Sequence, residues 1–427
     1  VYRFVRDSYV DEVDPAVLFE GALKGMFESL EDPHSAYLSQ DDVRALTDTT
    51  AGEFGGVGLY ISKEPEDGEK PRFIEVVAPI EGTPAFKAGV HAGDRIIAIE
   101  DDSTAPLSID DVVNRLRGKP GTDVTITIKR GKTVEFDVDI TRAIIQVPTA
   151  KHAMINENMA YLRIVQFTPH TEEKVREAIS FFEQRGYQQM IIDLRGNPGG
   201  LLQAVVEVSS LFLDGGLVVG TRGRVASETQ EFGADKGVLV PESIELLVLI
   251  DKGSASAAEI MAGALKDRGR AILAGETSYG KGSVQQVRTL ANGGFRLTMS
   301  RYYTPSGEYI DKIGIDPAIE ILPPQLTEDE QEYAVQLFSE GRIRNWVRSQ
   351  SSIDQSGIEA FIQELKNDGL ELPDWYLERN IAAEAARLAG EEPVFDLVHD
   401  SVLAQAVELL RSGEVSRYLA KQAAVVQ

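Results

Sequence analysis

Cysteine is absent from this chain of 427 residues. Its absence excludes disulfide bonds, thiolate catalysis and zinc or iron–sulfur centres with cysteine ligands. Histidine is scarce, and the five histidines show no HExxH motif or other metal-ligand spacing. We therefore expect neither a metal nor a cofactor.

Basic residues are also in deficit, with 43 lysines and arginines against 68 acidic residues and a net charge of −25. Binding of phosphate groups needs a clustered basic surface, so neither a nucleic acid nor an anionic membrane surface is expected as a partner. Long apolar runs are missing, and no stretch approaches the roughly 18 residues that a membrane span needs. The chain opens at Val1 without a basic and then apolar leader, so we expect a trimmed or mature product.

The first block, residues 1–50, contains one clear helical pattern. In "DPAVLFEGALKGMFESLEDPHS", Asp14 is placed to cap a helix whose first turn holds Pro15, and "EDPHS" ends it. Apolar side chains recur at helical spacing from Phe19 to Leu30. One amphipathic helix cannot bury such a stripe alone, so we expect it to pack on a later domain or on another chain.

The second block, residues 51–142, is predicted to be a small domain of short strands. "GGVGLYI", "FIEVVAP", "RIIAIED", "VTITIKR" and "KTVEFDVDI" have strand patterns, and Ser108 is placed to cap one short helix. The glycines of "EFGGVGLYI" lack the GxGxxG spacing of a nucleotide-binding loop and precede a strand instead of a helix. Two interpretations stay open: a plain glycine bend that enters a strand, and a loop that binds a carboxylate.

This block resembles a PDZ domain, most strongly in "TPAFKAGVHAGDRIIAIED". The resemblance implies that the glycine loop turns its N–H groups toward the terminal carboxylate of a peptide, while the following strand pairs with that peptide. The domain is then a binder of protein or peptide substrates with free apolar C-termini. The carboxylate-binding residues implied are Gly56, Val57, Gly58 and Leu59.

The third block, residues 143–324, alternates buried apolar strands with helices. "MIIDLRGNPGGLLQAVVEVSS" and "IELLVLIDKGSASAAEIMAGALKD" each run from a strand through a turn into a helix, which indicates an α/β core with its active groups at the carboxyl ends of the strands. Ser254 and Ser256 lie at such a turn. Each serine is either a plain helix cap or a nucleophile in the positive field of a helix start.

A candidate base follows the next strand in "GETSYGKGSVQQV", where Lys281 lies among glycines and small residues. Lysine acts as a base only when neutral, so its pKa must fall from about 10.4 toward 7, which burial in an apolar pocket can achieve. Catalysis by a serine and a lysine needs neither histidine nor cysteine. Gln285, four residues on, can orient the amine without adding charge, and the N–H groups of Gly200 and Ala257 are candidate oxyanion donors.

The chain as far as residue 322 resembles the carboxyl-terminal processing proteases, the tail-specific S41 peptidases that carry a PDZ domain. "DLRGNPGG", "GSASAAEI", "GETSYGKGSVQ" and "RYYTPSGEYIDKIGIDP" carry the resemblance, in that order. It implies a serine endopeptidase with Ser256 as nucleophile, Lys281 as base, Gln285 as orienting residue and Gly200 and Ala257 as oxyanion amides.

The fold class implied is an α/β protease core of crotonase/ClpP-like βα units, with an inserted mainly-β PDZ domain and helical N- and C-terminal elements. An extracytoplasmic site, a bacterial periplasm or cell envelope, is also implied. Two rival functions stay open: a catalytically silent PDZ peptide-binding scaffold, and a relative of the fold that binds small apolar ligands.

The fourth block, residues 325–427, lies outside the resemblance and is predicted to form helices broken by glycine and proline. It is either an assembly element or a brace, and with the stripe on the first helix it predicts a homo-oligomer. An activating or adaptor protein is a further expected partner.

Arg117, at the end of the Ser108 helix, either caps helix carbonyls or pairs with a carboxylate to gate the protease.

Overall fold

The computed structural model describes residues 1–63, 73–80, 82–91, 93–131, 134–389 and 393–426. The chain divides into two compact units. Unit 1 comprises Val1–Gly52, Pro148–Leu322 and Gln405–Gln427, and unit 2 comprises Glu53–Val147 and Pro323–Ala404.

The helices and strands are numbered in chain order. The helices are α1 Tyr2–Ser8, α2 Pro15–Glu28, α3 Gln40–Ala51, α4 Pro84–Lys87, α5 Ile109–Leu116, α6 Thr171–Glu183, α7 Leu202–Ser210, α8 Ala257–Asp267, α9 Glu328–Ser339, α10 Arg342–Ser349, α11 Gln355–Asn367, α12 Asp374–Ala389, α13 Ser401–Arg411 and α14 Glu414–Val426. The strands are β1 Ala36–Leu38, β2 Glu53–Gly56, β3 Leu59–Lys63, β4 Ile74–Pro79, β5 Arg95–Ile99, β6 Asp102–Ser103, β7 Asp123–Arg130, β8 Val134–Thr141, β9 Ala143–Gln146, β10 Ala150–Met154, β11 Met159–Ile164, β12 Gln189–Asp193, β13 Leu217–Gly223, β14 Gln230–Gly233, β15 Glu245–Ile250, β16 Ile272–Gly275, β17 Ser283–Thr289, β18 Gly294–Tyr303 and β19 Ile319–Glu320.

Unit 1 is built on a six-stranded sheet in the order β10-β11-β12-β15-β16-β19. Only β10 and β11 in this sheet are antiparallel neighbours. The central strands are apolar on both faces, and Ile191, Ile192, Leu247 and Val248 have no exposed surface, as in a parallel sheet covered by helices. The α/β core predicted from the sequence is confirmed.

A second sheet of unit 1 has the order β1-β18-β13-β14, with β17 also paired to β18. β17 and β18 form an antiparallel hairpin in which Gln285 is opposite Thr298. β1, from the N-terminal segment, pairs with the first half of β18, placing Ala36 opposite Arg296. The hairpin follows directly on the loop that contains Lys281.

Unit 2 contains the predicted mainly-β domain. Its sheet has the order β3-β4-β5-β7-β8, with β6 beside β5 and with β3 at one end. The predicted cap of α5 is confirmed, because the Ser108 hydroxyl accepts the Asp111 amide at 3.1 Å. The predicted cap of α2 is also present, with Asp14 accepting the Ala16 amide at 2.8 Å.

The C-terminal helices are divided between the two units. Helices α9 to α12 pack with the β-domain in unit 2, and α14 belongs to unit 1, where the Leu410 carbonyl accepts from Gln189 Nε2 at 3.0 Å. In unit 2 the buried carboxylate of Glu75, on β4, forms ion pairs with Arg344 and Arg348 of α10. The part of the predicted region 325–427 up to Ala404 therefore belongs to the same compact unit as the β-domain, and its role as a brace stays a prediction. Within the described ranges, no helix has the length and apolarity needed to cross a membrane.

Candidate active site

Ser256 is the residue directly before α8, and its backbone is strained. Its φ of 56° and ψ of −114° lie in a region that glycine favours and that L-residues with side chains seldom adopt. Such strain persists where the surrounding structure imposes it, and it is frequent in functional sites. The Ser256 side chain is nearly buried and interacts with the hydroxyl of Tyr302, on β18.

Ser254, the other candidate nucleophile, uses its hydroxyl in hydrogen bonds within the fold. Its side chain is completely buried, and its hydroxyl donates to the Leu194 carbonyl at 2.8 Å and accepts the Asp251 amide at 3.0 Å. These bonds tie the turn before α8 to the end of the neighbouring strand. Ser254 is thus a buried turn residue, whereas Ser256 is at the helix start.

Of the predicted oxyanion residues, Gly200 lies in the turn after β12 and Ala257 is the first residue of α8. A Cβ added at Gly199 would be 2.7 Å from Ser256 Cβ and 3.0 Å from the Ala257 amide nitrogen, so this close approach requires glycine. The Gly199 amide donates to Asn197 Oδ1 at 2.8 Å, and the Gly199 carbonyl accepts the Phe167 amide at 2.9 Å. Because a trans peptide points its C=O and the following N–H in opposite directions, the Gly200 N–H is directed away from Phe167.

A buried network anchors the first of these turns. Arg195 donates to the buried Asp193 carboxylate at 2.9 and 2.6 Å, and the Tyr161 hydroxyl donates to it at 2.7 Å. Burial acts to raise the pKa of Asp193, but these donors and the arginine charge outweigh it and hold that pKa below its ordinary range. The backbone carbonyl of Asn197 accepts the Ala255 amide at 2.9 Å, which joins this turn to the turn that contains Ser254.

Glu259, which the sequence analysis did not single out, joins the serine turn to the lysine loop. Its side chain has no exposed surface, and its Oε2 accepts the amides of Ser256 at 2.7 Å and Lys281 at 2.9 Å. Its Oε1 accepts the Ser278 hydroxyl and the Gly280 amide, both at 2.6 Å. Burial raises the pKa of Glu259, while these hydrogen bonds oppose the rise. The sequence signal was available, since a serine followed three residues later by glutamate marks a helix start.

Lys281 is partly buried in this loop. Burial lowers the pKa of its amine, the positive charge of Arg296 lowers it further, and the Glu259 carboxylate opposes both effects. The backbone amides of Ser256 and Lys281 both donate to Glu259. The hydrogen bonds of the described residues include none between the Ser256 hydroxyl and the Lys281 amine. The site therefore holds the Ser256 hydroxyl and a lysine amine whose pKa is lowered.

Gln285 lies on β17, two residues beyond Ser283. Its Nε2 donates to the Ser283 hydroxyl at 2.8 Å and contacts Thr298 Oγ1 at 3.5 Å. A hydrogen bond from the lysine amine to this side chain is not among those of the described residues. The orienting role implied by the resemblance consequently stays a prediction.

The glycine loop of unit 2 lies between β2 and β3. The Val57 carbonyl accepts the Ala85 amide and the Gly58 carbonyl accepts the Ile80 amide, both at 2.9 Å. Gly58 has a φ of +83°, and a Cβ there would be 2.4 Å from Thr83. Leu59 begins β3, the end strand of its sheet.

Arg117 follows the last residue of α5. Its guanidinium lies over the ring of Phe54, 4.8 Å from the ring centroid. Phe54 is on β2, directly before the glycine loop. The structure thus places Arg117 near this loop.

The chain matches known protein families along most of its length. Residues 158–321 match peptidase family S41, residues 75–130 match the PDZ domain, and residues 1–42 match the activating protease CtpB N-terminal domain.

The carboxy-terminal-processing protease of Bartonella bacilliformis is 40% identical over 386 residues, covering 88% of this chain and 86% of that protein. The carboxy-terminal processing protease CtpB of Bacillus subtilis is 34% identical over 333 residues, covering 76% of this chain and 67% of that protein. A solved structure of the photosystem II D1 C-terminal processing protease matches with 28% identity and a TM-score of 0.46, covering 75% of this chain and 91% of that one. The resemblance deduced from the sequence is confirmed: the chain belongs to peptidase family S41, among the carboxy-terminal processing proteases.

Proposed function

We propose that this peptidase is a serine endopeptidase in which Ser256 attacks the peptide carbonyl and neutral Lys281 accepts the serine proton. The observation that carries the proposal is the strained backbone of Ser256 at the start of α8, connected by one buried carboxylate to the loop of a lysine with a lowered pKa. The serine hydroxyl is a weak nucleophile by itself, so a neutral amine as base supplies the activation that the chemistry needs.

Three further roles complete the proposed mechanism. The N–H groups of Gly200 and Ala257 stabilise the oxyanion, which is supported by the orientation of the Gly199 peptide and by the position of Ala257 at the helix start. Gln285 orients the amine through Oε1, since its Nε2 is engaged by Ser283. When the tetrahedral intermediate collapses, the protonated lysine gives its proton to the leaving amine as the C–N bond breaks, which yields the acyl-enzyme. The neutral lysine then takes a proton from the water that hydrolyses this ester.

Tail recognition is assigned to the PDZ domain. Because the carbonyls of Val57 and Gly58 face internal amides, the N–H groups of Gly58 and Leu59 point the opposite way, toward a carboxylate of the substrate. The end strand β3 has one hydrogen-bonding edge for an extended peptide. Gly56, Val57, Gly58 and Leu59 then bind free apolar C-termini.

Assembly is proposed from the N-terminal helix. Val17, Phe19 and Met26 of α2, and Leu30 two residues beyond it, are more than half exposed, and no residue of this helix is buried. An exposed apolar helix face of this kind is typical of a contact surface. We propose a homo-oligomer, with an activating or adaptor protein as a further partner, and the extracytoplasmic location implied by the family stays a prediction.

A serine-reactive probe and a tailed peptide test the function together. The wild-type chain should be labelled by a fluorophosphonate at Ser256, and it should cleave a peptide with an apolar free C-terminus faster than the C-terminal amide. The Ser256→Ala variant should bind the same tail without cleavage or labelling. A wild-type chain that binds the tail but neither labels nor cleaves would support the silent scaffold instead.

A further inference from the structure

The sequence "EDPHS", residues 31–35, follows α2 and forms a closed turn in unit 1. Asp32 Oδ1 accepts the His34 amide at 3.0 Å, and Asp32 Oδ2 accepts the Ser35 hydroxyl at 2.6 Å. Burial acts to raise the pKa of Asp32, but hydrogen bonds from Ser35, Thr298 and His34 outweigh it and lower that pKa. The Ser35 side chain is buried, so the turn holds its hydroxyl in one place.

This turn is bonded to β18. The Thr298 amide donates to the Ser35 hydroxyl at 3.0 Å, and Arg296 Nε donates to the His34 carbonyl at 2.8 Å. The chain then continues as β1, which pairs with the same strand. Arg296 and Thr298 are two residues apart, so the turn holds two successive positions on one side of β18.

The same two residues of β18 face the proposed catalytic groups. Thr298 Oγ1 is 3.5 Å from Gln285 Nε2, and Gln285 is opposite Thr298 in the hairpin register. The charge of Arg296 acts on Lys281. Tyr302, farther along β18, interacts with Ser256. One strand thus connects the N-terminal turn to the base and to the nucleophile.

We propose that Ser35 and Arg296 are positioning residues for the catalytic site: the Asp32–Ser35 turn holds β18 so that Thr298 fixes Gln285 and the Arg296 guanidinium stays directed toward Lys281. The inference rests on the proposed function, because it assigns these residues a task only if Lys281 is the base. It gives the N-terminal segment a part in catalysis that is independent of any contact made by α2.

The electrostatic part of the proposal has a defined sign. The charged groups that act on Lys281 are Arg296 from β18 and Glu259 from α8, and Gln285, from β17, is neutral. Arg296 Nε donates to the neutral His34 carbonyl, and the ion pairs of the described residues include none to Arg296. Removal of this charge makes the protonated amine easier to form, and the lysine then loses its proton only at higher pH.

The experiment compares Arg296→Gln, which removes the charge, with Arg296→Lys, which keeps it, by measuring kcat and KM for a tailed peptide across pH. The acid limb of the kcat profile should move upward by about half a pH unit or more in the glutamine variant, as expected for loss of a nearby charge, and should stay in place in the lysine variant. A glutamine profile that coincides with the wild-type profile would overturn the electrostatic role.

The turn is tested with Ser35→Ala, and Ser29→Ala is the matched control, since the exposed Ser29 hydroxyl donates to the Met26 carbonyl of the preceding helix at 2.7 Å. The Ser35 variant should lose about tenfold in plateau kcat with KM changed less than about twofold, because the groups that the turn positions act in the chemical step and not in substrate binding. The Ser29 variant should match the wild type.

Wild-type kcat in a folded Ser35→Ala variant would overturn the role of the turn. If that variant fails to fold, the pH profiles of the two Arg296 variants decide the proposal. The Ser256→Ala and Lys281→Ala variants separate this inference from the proposed function: cleavage by either one refutes the function itself, whereas two inactive variants with an unshifted Arg296→Gln profile refute the inference alone.

Discussion

The Ser256 amide donates to Glu259 Oε2 at 2.7 Å, and that oxygen also accepts the Lys281 amide at 2.9 Å. The backbones of the proposed nucleophile and base are therefore held by one atom. With Ser278 and Gly280 on its other oxygen, the carboxylate fixes the separation of two turns that are more than twenty residues apart in sequence.

Glu259→Gln should lower kcat at least 100-fold, because glutamine has one acceptor oxygen and would leave two of the four donors facing an NH₂ group. Buried donors without acceptors cost about 1–3 kcal/mol each, so we also expect the free energy of unfolding to fall by at least about 2 kcal/mol. Peptide cleavage and thermal unfolding check both effects.

Glu177→Gln is the control for this variant, since Glu177 forms an ion pair with Lys174 at 2.9 Å in which both side chains are exposed. Exposed pairs contribute about 0–1 kcal/mol, so this variant should keep both kcat and stability. Equal behaviour of the two variants would contradict a linking role for Glu259.

The two serines should respond to alanine in opposite ways. Ser254→Ala should keep substantial activity but lose about 1–3 kcal/mol of stability, because it removes buried hydrogen bonds to Leu194 and Asp251. Ser256→Ala should abolish cleavage. Ser256→Gly should also be inactive yet more stable than Ser256→Ala by about 1 kcal/mol, because glycine relieves the backbone strain. Activity and unfolding curves of the three variants measure this, and the reverse activity pattern would make Ser254 the nucleophile.

Much of the site was predictable from local pattern. A helix start after a buried strand indicated Ser254 and Ser256, the family resemblance selected Ser256 of the two, and a glycine-rich loop after the next strand indicated Lys281. Glu259 was missed because its donors Ser278, Gly280 and Lys281 are distant in sequence, although its spacing from Ser256 has the form of a helix-capping pair.

The partners of whole segments were harder to predict. Helical periodicity indicated that residues after 325 bury an apolar face, but amphipathic pattern does not encode which surface covers it. The ion pairs of Glu75 with Arg344 and Arg348 connect α10 to the β-domain, and they join residues about 270 positions apart in the sequence. The hydrogen bond between Ser35 and Thr298 could not be predicted for the same reason, because the two residues are 263 positions apart in the sequence.

Activity should rise with pH through an apparent pKa below that of an ordinary lysine. Burial and the charge of Arg296 lower the pKa of Lys281, so the neutral and active amine accumulates above that lowered value and is lost as the pH falls through it. Lys281→Arg stays protonated at all these pH values and should be inactive. A pH series of kcat with both proteins checks this, and an active arginine variant would remove Lys281 as the base.

The brace of unit 2 should depend on the Glu75 carboxylate. Arg348→Met leaves a nearly unexposed carboxylate with Arg344 alone, so we expect a loss of about 2–3 kcal/mol in the unfolding free energy, less than for a pair broken completely. Trp346 and Trp375, the two tryptophans of the chain, lie in α10 and α12, so urea unfolding followed by tryptophan fluorescence reports this unit.

Arg342→Ala is the matched control on the same helix, because Arg342 pairs with the exposed carboxylates of Glu364 and Asp368. Its loss should cost no more than about 1 kcal/mol. If both arginine variants unfold at the same urea concentration, the Glu75 contact does not hold the helices to the sheet.

Arg117 should couple tail binding to cleavage. Its guanidinium lies over Phe54, on the strand that leads into the glycine loop, so movement of the loop by a bound carboxylate can reach it. A peptide with a free apolar C-terminus should stimulate cleavage of a second, tailless reporter, and its C-terminal amide should not. Arg117→Ala should reduce the stimulation about tenfold, which corresponds to ~1.4 kcal/mol of coupling, while tail affinity changes less than about threefold.

Arg115→Ala provides the comparison for gating, since Arg115 lies on the same helix and pairs with exposed Asp102 at 2.6 Å. This variant should keep the stimulation, because an exposed pair away from the glycine loop has no differential contact with a bound tail. Equal stimulation by acid and amide peptides would refute carboxylate sensing. Equal responses of the Arg115 and Arg117 variants would instead leave sensing intact and assign it to the loop amides of Gly58 and Leu59 without the arginine.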